Sequence, residues 1–221
     1  MTESQIPGPE NPLPPRDGLV LASASPRRRQ ILSELGLQFE IQAPEIDEKR
    51  LPHEEPEAMV VRLAEGKAKT VAQSLFSGPR RWVLGSDTVV VLDGEPIGKP
   101  EDEEHAVAIL KRLCGRTHRV ITGVAVTDTR NAHILSCAVE SRVTLRPASE
   151  AEIRRYVSCG ECLDKAGAYA IQGEGRRFVT ELYGSESNVI GLPASETLEL
   201  LESARKKASS EGGSELLGED P

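Results

Sequence analysis

The chain has 221 residues and a formal net charge of −8 at pH 7, and 38% of its residues are hydrophobic. This length is typical of one domain with tails, and the acidic balance argues against polymeric nucleic acid or a membrane as the main partner, because both favour a basic protein surface. A small anionic substrate is not excluded, since a few converging cations are enough to bind one.

Both ends of the chain differ from its middle. Residues 1–17 contain five prolines, and residues 205–221 are rich in Ser, Gly and Glu. Neither segment offers enough apolar surface to offset the entropy of ordering, so we predict disordered tails around one domain at residues 18–204. No stretch resembles a membrane span or a signal peptide, and the expected location is the cytoplasm.

The cysteines predict neither a disulfide framework nor a metal or redox centre. The CxxC at 159–162 has no second Cys or His pair nearby, and it follows a predicted helix instead of beginning one. We therefore expect ordinary thiols at Cys114, Cys137, Cys159 and Cys162.

The first predicted elements are a strand, a small-residue turn and a helix within residues 19–35. Ser25 suits the N-cap of this helix, Pro26 its first position and Gly36 its end. Backbone N–H groups and the arginines at 27–29 could bind a phosphate at the start of the helix. A capped helix with solvated arginines explains the same pattern equally well.

Hydrophobic periodicity and turn residues predict the remaining elements. In chain order they are a strand at 39–42, a helix at 56–76, a strand at 82–92 with a hairpin turn at 93–94, a helix at 103–113, strands at 118–128 and 133–146, a helix from a capping box at 149–152 to about 160, a Gly/Ala-rich loop at 164–175, strands at 177–182 and 188–190, and a helix at 195–204. Strands interleaved with helices predict an α/β or α+β fold, and the hairpin predicts a mixed sheet flanked by helices.

An aspartate inside the strongest predicted strand has the clearest chemical meaning. Asp87 follows Gly85 and Ser86 and is surrounded by Val and Leu residues. A carboxylate is disfavoured in such a strand and is costly to bury without a partner, so we expect it to face a cleft. There it could bind Mg²⁺ or take a proton from water.

Other charged candidates lie in loops and on one helix. The acidic run at 45–48 could hold a hard divalent cation through oxygen ligands, or it is a solvated loop. Candidate cations for a phosphate are Lys67, Lys69, Lys99 and Lys165, and we expect at least one of the first two to lie on a solvated helix face.

Eight short motifs, in this order, resemble the Maf family of nucleoside triphosphate pyrophosphatases from about residue 19 to residue 204. They are LASASPRR at 21–28, EIDE at 45–48, GKA at 66–68, GSDT at 85–88, GKP at 98–100, GRTH at 115–118, DKAGAY with IQG at 164–173, and GLP at 191–193. Each motif alone is weak, but the ordered set is highly specific. The resemblance implies a mixed, strongly twisted sheet and two lobes around a central cleft, similar to the inosine triphosphatases.

The resemblance also implies hydrolysis of a nucleoside triphosphate to a nucleoside monophosphate and pyrophosphate, with Mg²⁺ or Mn²⁺ as cofactor. Asp87 matches the proton acceptor, and Glu48 together with Asp87 matches the metal-binding acids. The polar and basic residues around the phosphates are matched by Ser25, Arg28, Lys67 and Lys99, and a further substrate-binding pair by Asp164 and Lys165. A homodimer is a further expectation from the family.

Three positions distinguish branches within this family. The branch that prefers dTTP and UTP has Arg, Thr and Gln there, as this chain does at Arg27, Thr88 and Gln172. The branch that resembles 7-methyl-GTP pyrophosphatases has Trp, Gln and Glu instead. The resemblance therefore implies a pyrimidine preference, and one amide can both donate to and accept from a uracil or thymine edge.

Two alternatives remain open from the sequence. One is a pyrophosphatase for another non-standard nucleotide, and the other is a nucleotide-binding regulator of septum formation and cell division. The first predicts a different order of rates on a nucleotide panel, and the second predicts binding without turnover.

Overall fold

A mixed sheet forms the centre of the computed structural model, which describes residues 18–212. The elements in chain order are β1 (Gly18–Leu21), α1 (Pro26–Glu34), β2 (Phe39–Ile41), α2 (Pro56–Leu75), β3 (Arg81–Leu92), β4 (Glu95–Ile97), α3 (Glu103–Leu113), β5 (Thr117–Asp128), β6 (Ile134–Leu145), α4 (Glu150–Val157), β7 (Val179–Tyr183), α5 (Glu186–Ile190) and α6 (Ala194–Gly212). Two 3₁₀ turns lie between α4 and β7, at Ala166–Ala168 and Glu174–Phe178. The predicted tail at 1–17, and residues 213–221 of the other, lie outside the described residues.

The sheet has seven strands in the order β2-β1-β3-β5-β6-β7, and β4 pairs with β3. β1 runs parallel to β2 and β3, and the other pairs are antiparallel. The predicted mixed α/β fold, a sheet flanked by helices, is confirmed. The hairpin is confirmed too, because Asp93 and Gly94 have φ values of 55° and 82°, as an Asp-Gly turn between antiparallel strands requires.

One edge of β3 is open for part of its length. The pairing of β3 with β1 ends at Leu84, and its pairing with β4 begins at Val90. The opposite edge pairs with β5 throughout this stretch. Side chains from both faces of β3 can therefore reach the same space, just beyond the carboxyl end of β1.

Two apolar cores lie on one face of the sheet. Leu84 packs with α1 and α6 at one end, and Leu92 packs with α3 and α4 at the other. Between them, on the same face of β3 and β5, are three polar residues that we call the polar band: Ser86, Thr88 and Thr122. α2 covers the opposite face of the sheet.

Two glycines let α2 approach the sheet closely. A Cβ on Gly85 would lie 2.1 Å from the carbonyl oxygen of Ala64, and a Cβ on Gly123 would lie 2.2 Å from that of Val60. Because these are backbone atoms of a packed helix, only glycine fits at either position. The close approach carries Lys67, about one turn beyond Ala64, onto β3.

The predicted strand at 188–190 is wrong, because this segment belongs to α5. The Ser185 side chain caps α5 by accepting a hydrogen bond from the backbone N–H of Asn188, and Gly191 ends the helix at φ 125°. Val189 and Ile190 suggested a strand, but three residues are too few for periodicity to separate a strand from a helix.

The predicted end of the last helix at residue 204 is also wrong. α6 continues to Gly212, so residues 205–212 are helical and do not begin a tail. Ala204 and Ala208 are buried in the same core as Leu201. The apolar stripe therefore continues in alanines, whose small side chains contribute little to a hydrophobic pattern.

Two further features concern the cysteines and the apolar character of the helices. Cys114, Cys137, Cys159 and Cys162 are not joined by disulfide bonds in the structure. None of the helices in residues 18–212 is both long and apolar enough to cross a membrane.

Candidate active site

A cavity of about 370 Å³ lies at the open edge of β3. Every residue predicted for the site lines it: Ser25, Arg27, Arg28, Glu48, Lys67, Asp87, Thr88, Lys99, Asp164, Lys165 and Gln172. Four other candidates are not in its lining, and one of them, Arg29, is exposed on α1. Lys69 pairs with Glu65 on the exposed side of α2, and Glu45 and Asp47 belong to the acidic run but lie outside the lining.

Lys67 lies between two carboxylates. Its Nζ atom is 2.7 Å from Asp87 Oδ1 and 2.7 Å from Glu48 Oε1. The side chains of Lys67 and Asp87 are 11% and 14% exposed, whereas that of Glu48 is 58% exposed. The Lys67–Asp87 pair is therefore the shielded part of the site, and Glu48 is the part open to solvent.

Positive charges in the cavity lower the pKa of Glu48. Partial burial alone would raise this pKa, but the hydrogen bond from Lys67 and the charges of Lys67, Lys99 and Arg28 outweigh it. Glu48 is therefore ionised at neutral pH, and it can accept hydrogen bonds or bind a cation.

The carboxylates of Glu48 and Asp87 suit a metal ion that takes some of its ligands from the protein and others from a substrate. Within residues 18–212, no group of three or more His, Cys, Asp or Glu side chains is arranged to hold a metal ion. Mg²⁺ is usually held by one or two carboxylates together with phosphate oxygens and water. Two carboxylates lining one cavity fit that pattern.

Arg28 connects α1 to the polar band. Its Nε atom donates to the Gly191 carbonyl oxygen at 2.8 Å, one terminal nitrogen donates to Ser23 Oγ at 3.0 Å, and the other donates to Thr88 Oγ1 at 3.2 Å. Burial lowers the pKa of the Arg28 guanidinium, and the charge of Asp87 opposes this shift. The guanidinium still carries its charge at neutral pH.

The first turn of α1 is linked by charge to the loop that follows α4. Arg27 donates to Asp164 Oδ2 at 3.1 Å, and Lys165 pairs with the other oxygen of Asp164. Partial burial alone would raise the pKa of Asp164, but the hydrogen bond from Lys165 and the charge of Arg27 lower it. Ser25, whose hydroxyl caps α1, immediately precedes this turn.

Lys99 and Gln172 keep their polar ends free within the described chain. Neither side chain forms a hydrogen bond or an ion pair with any other residue in 18–212. Lys99 follows the β4 hairpin, and Gln172 follows the 3₁₀ turn at Ala166–Ala168. Both are therefore available to a ligand in the cavity.

A buried histidine supports the cavity wall behind Tyr169. His118 is 2% exposed, and its Nε2 atom lies 2.8 Å from the Tyr169 hydroxyl. Burial lowers the pKa of His118 to about 4, and burial raises the pKa of Tyr169. Both side chains are therefore neutral at pH 7.

We expect His118 to weaken the fold in acid. Its pKa is about 4 in the folded chain against an ordinary value of 6.5, so the unfolded chain binds the proton first as the pH falls. The contribution of neutral His118 to the free energy of unfolding is fully present above about pH 6.5. About 3 kcal/mol of this free energy is lost by pH 4. Urea unfolding should show a smaller loss over this range in His118→Gln, which does not titrate. An equal loss in both proteins would contradict this prediction.

Three contributors to the site were not predicted individually. The Gly191 carbonyl oxygen accepts hydrogen bonds from Arg28 and Ser86, Thr122 binds Thr88, and Tyr169 lines the cavity. Gly191 and Tyr169 belong to two of the eight motifs, but a carbonyl contact leaves no signature in residue type. Thr122 lies in an apolar strand, where threonine is common.

The sequence matches known proteins over most of its length. Residues 18–204 match the model of the Maf-like protein family. A dTTP/UTP pyrophosphatase from Escherichia coli O157:H7 is 50% identical over 184 residues, which are 83% of this chain and 91% of that protein. A dTTP/UTP pyrophosphatase from Myxococcus xanthus is 51% identical over 186 residues, which are 84% of this chain and 92% of that protein.

One solved structure is similar at a much lower level of identity. A nucleoside-triphosphatase (dITP/XTP pyrophosphatase) from Mycobacterium abscessus is 13% identical, with a TM-score of 0.37, over 91% of this chain and 100% of that one. A TM-score at this level supports no conclusion about the chain.

Proposed function

The chain belongs to the Maf-like protein family, and from this premise we propose that it hydrolyses nucleoside triphosphates, dTTP and UTP foremost, to a nucleoside monophosphate and pyrophosphate. The observation that carries the proposal is the single cavity in which Arg28, Lys67 and Lys99 converge with Asp87 and Glu48. Such a set can bind a triphosphate and act on water beside it. Two relatives that are about 50% identical to the chain are named dTTP/UTP pyrophosphatases.

The proposed reaction begins with water attacking the α-phosphorus. Asp87 accepts the proton of that water, and Lys67 holds the carboxylate in place through its 2.7 Å contact with Oδ1. The other oxygen of Asp87 forms no hydrogen bond within the described chain, so it is free to face the water. Arg28, Lys67 and Lys99 stabilise the negative charge that develops on the departing pyrophosphate.

We propose that Glu48 and Asp87 hold a divalent cation, Mg²⁺ or Mn²⁺, together with the phosphates. When bound, such a cation supplies charge that polarises the phosphate and favours the leaving group. In the described structure the Lys67 ammonium contacts both carboxylates. It thereby offsets part of their negative charge and keeps them near each other.

We propose that Gln172 and Arg27, which both line the cavity, select the base. The free amide of Gln172 can donate to and accept from a pyrimidine edge at the same time. Arg27 is held by Asp164, which limits its reach. The Thr88 hydroxyl contacts Arg28 and Thr122, so we propose that Thr88 affects selection through these neighbours.

We expect pyrophosphate release from a panel of dTTP, UTP, CTP, GTP and ATP to be fastest with dTTP and UTP. Gln172→Ala should lower kcat/KM for these two roughly tenfold and affect the purine nucleotides less, because one polar base edge loses its partner. Gln73→Ala, on the exposed side of α2, is the control and should match the wild type.

The panel also separates the alternatives. Equal rates on all five nucleotides would contradict the selective roles of Arg27, Thr88 and Gln172. Preference for another base would indicate a different pyrophosphatase, and binding without any release of pyrophosphate would indicate a regulator of cell division. The enzyme names of the relatives favour turnover.

We also propose that the protein acts in the cytoplasm as a homodimer on a small nucleotide, without a membrane or polymeric nucleic acid as partner. The acidic net charge supports the exclusion of nucleic acid. Light scattering of the purified protein tests the dimer, and fractionation of cells tests the location.

A further inference from the structure

Thr122 occupies a position in the polar band that the proposed reaction does not yet use. It is fully buried on β5, opposite Thr88 on β3. It does not line the cavity. We propose that Thr122 is a positioning residue, which fixes the Arg28 guanidinium for phosphate binding through the hydroxyl of Thr88. This inference rests on the proposed function.

The direction of the hydrogen bonds at Thr122 follows from the number of protons available. Thr122 Oγ1 lies 3.0 Å from the Asn188 carbonyl oxygen and 3.0 Å from Thr88 Oγ1. A carbonyl oxygen can only accept, and a hydroxyl has one proton to donate. Thr122 therefore donates to Asn188, and in the contact between the two threonines Thr88 must be the donor.

The series of hydrogen bonds continues from Thr88 to Arg28. With its proton directed at Thr122, Thr88 Oγ1 presents its lone pairs to the Arg28 nitrogen 3.2 Å away. The result is one directed series of donors, from Arg28 through Thr88 and Thr122 to the carbonyl of Asn188. Without the Thr122 hydroxyl, the proton of Thr88 has only the Gly191 carbonyl oxygen, at 3.5 Å.

Three contacts together fix the plane of the Arg28 guanidinium. Arg28 binds Gly191 through Nε and Thr88 through a terminal nitrogen, and it binds Ser23 through the other terminal nitrogen. Three of the five N–H groups of arginine are thereby used, and two remain for phosphate oxygens. The orientation of these two depends on the contact with Thr88, and thus on Thr122.

The fold offers a reason why the effect should be on Arg28 and not on the docking of α5. Asn188 holds α5 independently, because its side-chain nitrogen donates to the Val120 carbonyl oxygen at 3.2 Å and to Ser141 Oγ at 3.0 Å. α5 therefore keeps two buried contacts when the Thr122 hydroxyl is removed.

The test compares variants of Thr122 in steady-state hydrolysis of dTTP. Thr122→Val removes the hydroxyl at nearly constant volume, and we expect kcat/KM to fall roughly tenfold. Thr122→Ser restores the hydroxyl and should recover most of the activity. Thr127→Val is the matched control, since Thr127 is also buried on β5 but its hydroxyl has no hydrogen-bond partner within residues 18–212. It should retain wild-type kcat/KM.

A double variant tests the route through Thr88. If Thr122 acts by way of Thr88, Thr88→Val with Thr122→Val should lose no more activity than the worse single variant. A loss of activity in the double variant equal to the product of the two single losses would overturn the proposal. So would wild-type kcat/KM in Thr122→Val, or a loss in Thr122→Ser as large as in Thr122→Val.

Two further measurements keep the test decisive. If Thr122→Val does not fold, Thr122→Ala carries the same expectation, because it also lacks the hydroxyl. Thermal unfolding of each variant separates folding from positioning, because a lower Tm with unchanged kcat/KM would overturn the proposal. A wild-type protein without turnover would refute the proposed function instead, so the two failures are distinguishable.

Discussion

Asp87→Asn should lower kcat for dTTP by roughly 10²–10⁴-fold, the contribution expected of a general base. The substitution keeps the shape of the side chain and its position on β3, and Asn still presents an oxygen to Lys67. It removes the negative charge and the ability to take a proton from water. Steady-state release of pyrophosphate at saturating nucleotide measures the effect.

Asp93→Asn provides the matched control for this prediction. Asp93 follows the same strand, lies outside the cavity lining and adopts a φ of 55°. Asn tolerates that conformation well and is favoured before glycine in such turns. Its turnover should equal that of the wild type, and an unchanged kcat in Asp87→Asn would remove the centre of the proposed mechanism.

Manganese binding tells apart the two roles proposed for Asp87. Titration of each variant with Mn²⁺, in the presence of a non-hydrolysable nucleotide, reports the metal affinity without turnover. A base that contributes little to the metal site should leave the affinity of Asp87→Asn near the wild-type value. A metal ligand should lower it as Glu48→Gln does, and removal of the metal with a chelator should stop turnover in the wild type.

Gly123→Ala should destabilise the fold by about 3–5 kcal/mol, at the upper end of single substitutions. The new Cβ would lie 2.2 Å from the Val60 carbonyl oxygen, and it would also meet the next backbone atoms of α2. α2 would have to move away from the sheet. Urea unfolding measures the loss of free energy, and thermal unfolding should show Tm lower by about 10 °C.

The same substitution at another glycine gives the control. Gly66 lies within α2, and a Cβ at this position would meet only a side-chain methyl group of Ile46, at 3.5 Å. Gly66→Ala should raise stability by about 0.5–1 kcal/mol, because alanine loses less backbone entropy in a helix. Retention of wild-type stability by Gly123→Ala would contradict the steric argument.

Gly123→Ala should also reduce turnover in the molecules that remain folded. Lys67 reaches Asp87 because α2 lies against β3 and β5, so a helix displaced outward would lengthen that 2.7 Å contact. kcat/KM per folded molecule should therefore fall as well.

The strands and most helices were predictable because their patterns are local. The helix at 103–113 was predicted with the bounds that α3 has, since Asp102 caps it and its apolar residues recur at helical spacing. α5 could not be predicted in this way. Its stability depends on contacts with distant residues, such as the hydrogen bond from Thr122 to the carbonyl of Asn188.

In the site, too, some residues could be predicted from local sequence and others depend on contacts between distant segments. Residue chemistry alone made Asp87 a candidate, but it left Lys67 and Lys69 equivalent. Only the rotation of α2 on the sheet, fixed by the glycines of β3 and β5, decides that Lys67 is buried and Lys69 exposed. The family resemblance selects Lys67, and the structure places this lysine, not Lys69, in the cavity lining.

β3 and β5 run without a break from one apolar core to the other, and this limits how the elements around the two cores can move. Each strand is 12 residues long, and each contributes side chains to both apolar cores. A hinge needs a flexible segment between rigid bodies, whereas here two hydrogen-bonded strands cross the boundary. The elements packed around the two cores therefore cannot swing apart as separate domains, and loss of either core disturbs β3 and β5, which also build the other core. Such a fold unfolds as one cooperative unit.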